Sequence, residues 1–498
     1  MQLESFPSRE DFARFAKSST VVPVGVKILA DTETPVSVLA RFASKSADCF
    51  LFESADGGER WGRYSFLGTG ARATVTVFRD TVVLREGIGE SRIPHGGDPL
   101  GALREIMTRY KVAEVPELPR FRGGLVGYIA YEMAHFFESR VPNRLPADKP
   151  LAEMMIPDNL LVFDNVRHTL SIVALAFVGD SAADAGEMND VNEMYQDACA
   201  RVEALRAVLR ERFVDEDRKG NSVTLPRPMR SPEEYKAMVA KAKERIREGD
   251  IFQCVLSQSF AGSAPDDVVA LYRAQRFVNP SPYLFFFKCH GCVLIGSSPE
   301  TLIKLERRTA TLRPIAGTRP RGKTELEDRR LADELLGDEK ERAEHLMLVD
   351  LGRNELGRVS LPGTVQVTDL MFVERCSHVM HLVSNVVSEL EEGIDAFGLF
   401  KSAFPAGTLT GAPKVKAMEI IAELEPEPRG VYGGACGYFS FDGDMDFAIC
   451  IRSAVIERKR LTIRAGAGIV ADSDPDAEQQ ETVNKARAMT RALEMLMF

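Results

Sequence analysis

The stretch Asp338–Val359, DEKERAEHLMLVDLGRNELGRV, sets two carboxylates, Glu341 and Glu344, three residues apart behind an Asp-x-x-Glu helix start. At helical spacing both project from one face of the first turns. Like charges that close repel unless a cation lies between them. A hard divalent ion such as Mg²⁺, held by one or two carboxylates together with waters and substrate oxygens, suits such a pair. The plainer alternative is a solvated pair at the positive end of the helix dipole. A second i, i+3 pair, Glu478 and Glu481, opens the last helix of the chain and tips the balance towards the metal. Between the two helices lie Arg452, Tyr432 in YGGACGYF, and Gly466 and Gly468 in RAGAGIV. An ion on the acidic side can bridge one carboxylate of a small dianionic substrate while Arg452 and backbone amides hold the other.

Three further positions could do chemistry. Gln253 is a polar side chain on a strand face it shares with Val255, and a buried polar group there needs a partner. In FPAGTLTGAPK, glycines precede a helix, so its backbone N–H groups with Lys414 could form a carboxylate or phosphate pocket. It is not a P-loop, because Gly-Lys-Ser/Thr is absent. His381 has polar and apolar neighbours and is either a satisfied core residue or an acid–base group. GAGIVA matches a dinucleotide fingerprint in form only, since Asp472-Ser-Asp-Pro475 interposes a turn before the helix. These residues define a Mg²⁺-dependent enzyme acting on a small carboxylate.

The elements that must position them follow from periodicity. The helix after Asp338 is expected to bury Ala343, Leu346, Met347, Val349 and Leu351, and the last helix, from about Pro475, Ala486, Met489, Leu493 and Leu496. Strands are predicted at Ala73–Phe78, Thr81–Leu84, Ile251–Phe260 and Tyr283–Phe287, and across FRGGLVGYIAY with a break at Gly123-Gly124. Tyr432–Phe439, Ile449–Ala454 and Leu461–Val470 read as consecutive antiparallel strands. A polar helical stretch over 182–218 leads to a linker at Lys219–Ser222 and Pro226–Pro228, dividing the chain into 1–225 and 226–498. A capping box at Ser231-Pro-Glu-Glu opens the second part.

With 498 residues, 45% hydrophobic and 27% charged, the chain can bury a sizeable core. A net charge of -10 with scattered cations argues against nucleic acid. No apolar run approaches a membrane span and no signal peptide is visible, so a cytoplasmic protein is expected. Of eight cysteines only Cys289 and Cys292 form a Cys-x-x-Cys, with no second pair at zinc spacing. Reduced, buried cysteines fit that compartment.

The strings GDIFQCVLSQ, NPSPY, SSPET, RPIAGTRPRG, SHVMHLVS, FPAGTLTGAPKVKAM, YGGACGYF, IRSA, RAGAGIVADSDP and EQQE, with the helix at 338–359, carry a resemblance. Over about 228–495 the sequence closely resembles the chorismate-utilising enzymes, and over its whole length the large-subunit (component I) family of anthranilate synthases. The resemblance implies an α+β fold of two antiparallel sheets packed face to face with helices outside. It implies a tryptophan-sensing N-terminal part and a catalytic C-terminal part. Glu344, Glu481 and Glu478 would hold Mg²⁺, with Glu341 beside them. Tyr432, Arg452, Thr408, Gly466 and Gly468 would bind chorismate, with Gly317, Thr318 and Lys414 nearby, and His381 would assist loss of the 4-hydroxyl or the later elimination. Ammonia would add at C2 of chorismate, and pyruvate would leave to give anthranilate, the first committed step of tryptophan biosynthesis.

Sister activities carry a lysine where this chain has Ala316 (aminodeoxychorismate synthases) or Gln253 (isochorismate and salicylate synthases), so anthranilate is the expected product. The rival from another class is a catalytically silent tryptophan-sensing scaffold. The chain shows no amidotransferase nucleophile elbow, so ammonia would come from a separate glutamine amidotransferase (component II), two large and two small subunits forming a heterotetramer. Feedback tryptophan would sit on Glu53, Ser54, Asn279, Pro280, Ser281, Tyr283 and Tyr438. Phe52 and Leu284 stand where the family often has Leu and Met, and Cys436 where Val is common.

Overall fold

The strand Tyr283–Cys289 carries apolar residues on both faces, and it lies where both faces are covered. In the computed structural model, Phe285 and Phe287 turn into one core and Leu284 and Phe286 into another. The structure describes residues 1–55, 62–179, 191–211, 223–375 and 379–497. Trp61, the expected linker Lys219–Ser222 and parts of the stretch 182–218 lie outside the described residues; within that stretch Val191–Arg210 is a helix.

Antiparallel ladders run through the chain and fold back into two layers. The first layer passes from Val21–Leu29 through Thr169–Phe177 to Cys49–Glu53, Tyr283–Cys289, Cys292–Ser298, Ser453–Glu457, Arg460–Ile469 and Gln253–Ser263. The second contains Thr81–Glu86, Gly124–Ile129, Ala435–Ser440, Met445–Ile449, Thr301–Glu306, Thr309–Leu312 and Val379–Glu389. The long strands Tyr64–Val77 and Ala152–Asp164 belong to both and bend at a register shift between Ala71 and Ala73. The two layers face each other, with the Tyr128 and Phe287 ring centroids 6.2 Å apart. Helices lie outside. Ala396–Ala403 stacks Phe397 on Phe439 at 4.2 Å, and Val268–Val278 and Pro475–Glu494 cover the opposite layer.

The strand expected to break at Gly123-Gly124 instead begins there and runs unbroken over Gly124–Ile129, and its glycines allow a close backbone approach: a Cβ at Gly124 would come within 2.1 Å of the Phe439 carbonyl oxygen, and one at Gly127 within 2.1 Å of that of Glu153. Strands before residue 225 pair directly with strands after it, Cys49–Glu53 with Tyr283–Cys289 and Gly124–Ile129 with Ala435–Ser440. Hydrogen bonding therefore runs across the 225/226 division.

The expected strand Ile449–Ala454 is two strands. Met445–Ile449 belongs to the second layer and Ser453–Glu457 to the first, so the chain changes layers at 450–452. Beside it, Cys292–Ser298 and Thr301–Glu306 make the same change at Pro299-Glu300. The two segments cross together: Ile449 N–H donates to Glu300 O at 3.0 Å, and Ser297 N–H to Arg452 O at 3.3 Å. Among the described residues no helix is long and apolar enough to cross a membrane.

Candidate active site

The layer change creates a cavity of about 750 Å³, a size suited to a small-molecule ligand. Glu341, Glu344, Glu478 and Glu481 line it together with Gly317, Thr318, Thr408, Tyr432, Arg452, Gly466 and Gly468. Gln253 and Ala316, the positions that separate the sister activities, also line it. Both acidic helices aim their first turns here because each is capped by an aspartate: Asp338 accepts from the Lys340 and Glu341 amides, and Asp474 from that of Ala477.

Arg452 sits at the crossover with φ 50°, a left-handed conformation that a non-glycine residue adopts at a cost of order 1–3 kcal/mol. Among the described residues its guanidinium has no ion-pair partner. Burial disfavours its charge, and only Tyr432 and Glu481 work against that. A buried, unpaired guanidinium in a cavity is a receptor for an anion.

Across the cavity the acids outnumber the cations beside them. Burial, then Glu341, raises the pKa of Glu344, with Glu481 adding to the effect. Burial and Glu481 raise that of Glu478. The nearby cations are Lys340 and Lys485, and Lys485 pairs with Glu481 at 2.5 Å. Glu341 is bound to Arg319 at 3.2 Å, which ties it to the protein rather than leaving it free to move a proton. An all-oxygen donor set under mutual repulsion fits a hard divalent ion that keeps several waters, and Glu344, Glu478 and Glu481 are the residues that would hold it.

Glycines make the remaining wall. A Cβ at Gly466 would stand 2.6 Å from the Tyr432 hydroxyl, and one at Gly468 2.8 Å from Gln253 Nε2. Gly317 has φ 65° and its carbonyl accepts from His381 Nδ1 at 3.0 Å. That bond fixes the proton on Nδ1 and leaves Nε2 bare. Burial first, then the Arg452 charge, lowers the His381 pKa, so the ring is neutral at pH 7. His381 stands behind Gly317 and Thr318 rather than on the cavity wall.

Two residues depart from expectation. Lys414 does not line this cavity: its ammonium is held by Glu355 at 2.8 Å and the Ala403 carbonyl at 3.1 Å, so it has no free charge for a substrate. It borders a neighbouring cavity of about 590 Å³ that meets the first at Gln253 and Leu348. Glu300 was not among the candidate residues. It lines the large cavity, and burial pushes its carboxyl up to about 8, so it holds a proton at neutral pH. The Thr408 hydroxyl beside it acts weakly the other way but is not aligned as a hydrogen bond. A lone acid between two apolar strands was the available signal.

A third cavity, about 350 Å³, lies between the layers and is lined by Glu53, Ser54, Tyr283 and Tyr438 with Phe66, Phe121 and Asp446. Phe52, Leu284 and Cys436, the three departures from the family pattern, all line it. Glu53 accepts from the Tyr272 hydroxyl at 2.6 Å and from Arg276 at 2.9 Å, so its carboxylate is largely satisfied. Asn279, Pro280 and Ser281 stand behind the wall. Asn279 Nδ2 donates to Ser297 Oγ at 3.1 Å, and Ser281 O accepts from the Ala55 amide at 3.0 Å.

The fold is a paired-layer α+β arrangement with an acidic helix pair facing Arg452 across one cavity, and the model of the chorismate binding enzyme family matches residues 48–491. Relatives named anthranilate synthase component 1 are 43% identical in Aquifex aeolicus and 44% in Pseudomonas putida, each match covering 98% of both chains. The crystal structure of anthranilate synthase component I from Streptococcus pneumoniae superposes with a TM-score of 0.75 at 36% identity, covering 86% of this chain and 92% of that one. The menaquinone-specific isochorismate synthase of Escherichia coli, at 21% identity and a TM-score of 0.70 over 98% of this chain and 99% of that one, shares the fold. The chain belongs to the chorismate-binding enzymes and, within them, to the anthranilate synthase component 1 family.

Proposed function

We propose that the chain converts chorismate and ammonia to anthranilate and pyruvate in the 750 Å³ cavity, with Mg²⁺ as its metal. The observation that carries this reading is the unpaired Arg452 guanidinium set across one cavity from Glu344, Glu478 and Glu481. Chorismate is a small dianion, and its two carboxylates match those two ends. When bound, Mg²⁺ supplies the positive charge that orients one substrate carboxylate and polarises it as a Lewis acid. Arg452, with the backbone at Gly466 and Gly468, holds the other end. Ammonia brings its own lone pair and needs no base. Gln253 offers no lysine to activate water, and Ala316 none to attack the ring.

As nitrogen bonds to C2 and the 4-hydroxyl departs, Glu300 gives its proton to that hydroxyl, which leaves as water. In the elimination that releases pyruvate, the C2 proton is lost and the departing enolpyruvyl group gains one, while neutral His381 holds Gly317 and Thr318 in place from behind the wall. Production of anthranilate from chorismate and ammonium by the purified chain tests this reading.

Glu300 makes a pH prediction. A carboxyl with a raised pKa is protonated below that value and ionised above it, so a required proton donor is lost as pH rises through about 8. The kcat profile should fall on the alkaline side near there. Glu300→Gln should lower kcat by roughly 10²-fold or more and remove that limb. An unchanged profile in the variant would show that the proton comes from elsewhere.

The 350 Å³ cavity, with its aromatic walls and charged rim, suits an aromatic amino acid, and we assign it to feedback tryptophan. Ser54→Phe fills it from the side; turnover should stay near the native rate while inhibition by tryptophan disappears. Retained inhibition would dismiss the site. Ammonia in the cell would come from a glutamine amidotransferase, component 2, joined with this chain as two of each.

A further inference from the structure

Cys289-His-Gly-Cys292 closes the hairpin between Tyr283–Cys289 and Cys292–Ser298, and the reaction does not use it. His290 and Gly291 have φ of 46° and 79°, the two-residue turn that sets flanking residues directly opposite each other. Cys289 and Cys292 are such a pair. Cys-x-x-Cys alone is half of a metal site. The fold brings up more of it from the far side of residue 225: Glu153, on the strand Ala152–Asp164. One ligating atom each from Glu153, Cys289 and His290 lie within 4.8 Å of one another, and no other group of three such residues does so among the described residues.

The imidazole is oriented for ligation. Its Nε2 lies 2.9 Å from Thr74 Oγ1, and its Nδ1 lies 3.0 Å from Glu153 Oε1. Without a metal, Nδ1–H donates to Glu153 Oε1 and Nε2 accepts from the Thr74 hydroxyl; with the proton on Nε2 and given to Thr74 instead, the Nδ1 lone pair faces the carboxylate side and is free to take a metal ion. A hydrogen bond on the far ring nitrogen is also the support that metal-binding histidines carry. The Tyr128 hydroxyl donates to Glu153 Oε2 at 3.3 Å, and the His290 amide to Asp48 Oδ1 at 3.2 Å, so the turn and the carboxylate are both braced. Glu153 is 5% exposed and Cys289 fully buried. Burial and the Glu153 charge push both thiols upward, so Cys289 keeps its proton until a cation takes its place.

We propose that Glu153, Cys289 and His290 form a site for Zn²⁺, with a water in the fourth position, that staples the two halves of the chain together. Binding releases the Cys289 thiol proton to solvent and forms the metal–sulfur bond. The donor set of one sulfur, one nitrogen and one oxygen selects a borderline ion over Mg²⁺.

The test is a Co²⁺ titration of the full chain, stripped of metal and kept under a non-thiol reductant, followed by competition with Zn²⁺. Thiolate-to-cobalt absorption separates this site from the chorismate cavity, which none of the described cysteines lines. The expected result is one equivalent of Co²⁺ with that absorption, displaced by Zn²⁺. Cys289→Ser should lose the band, having lost the one thiolate of the cluster. His290→Ala, on the exposed turn, should stay folded and bind roughly tenfold more weakly or worse. No thiolate band in the native chain, an unchanged band in Cys289→Ser, or native affinity in His290→Ala would each overturn the proposal.

Discussion

Arg452→Ala is expected to lower kcat/KM for chorismate by 10²- to 10³-fold, a loss of about 3–4 kcal/mol. The guanidinium stands in the cavity without an ion-pair partner among the described residues, so an incoming carboxylate completes a desolvated pair rather than competing with an existing one. Arg452→Lys keeps the charge but loses the planar fork, and should recover only part of the loss. The variant should not be less stable. Removing a buried, unpaired charge and a left-handed non-glycine side chain takes away costs of the folded state, so Tm should hold or rise. Steady-state kinetics and a melting curve on the same sample check both halves. Near-native kcat/KM would mean that the dianion docks elsewhere.

Glu344→Gln and Glu481→Gln are each expected to cost roughly 10²-fold or more in turnover at fixed Mg²⁺, on the reading that both carboxylates hold the ion. Substitution by the isosteric amide removes a charge without opening space. It also relieves repulsion: the pKa of Glu478 is raised in part by Glu481, and that of Glu344 by Glu341 and Glu481. The apo variants should therefore be as stable as the native chain while binding Mg²⁺ more weakly. Calorimetric titration with Mg²⁺ separates these outcomes from simple unfolding. Glu341→Gln is a control of a different kind, because it breaks the Arg319 pair and disturbs the helix start instead.

The parts of this account that were legible in the sequence are those set by local spacing. Two i, i+3 acid pairs behind aspartate caps are local facts, and both helices begin where the caps stand. What escaped depends on partners distant in sequence. The helix Glu339–Gly357 was expected to bury Leu346, yet Leu346 is 43% exposed, while His345, Leu348, Val349, Gly352 and Glu355 are buried. Apolar counting missed this face because His345 reaches Ser384 and Glu355 reaches Lys414. The same Glu355 takes Lys414 out of the substrate site. Arg452 was recognisable as a cation, but its position at the layer change required the topology, since an alternating IRSA reads as plain strand. Glu300 sat in a loop rich in hydroxyls, and only burial between two crossing segments gives its proton a use.

The most direct measurement is identification of the product when the purified chain is given chorismate, Mg²⁺ and high ammonium at mildly alkaline pH. The account predicts fluorescent anthranilate with one pyruvate per turnover. Isochorismate, salicylate or aminodeoxychorismate in its place would contradict it, showing that Gln253 and Ala316 do not decide the chemistry of the cavity they line.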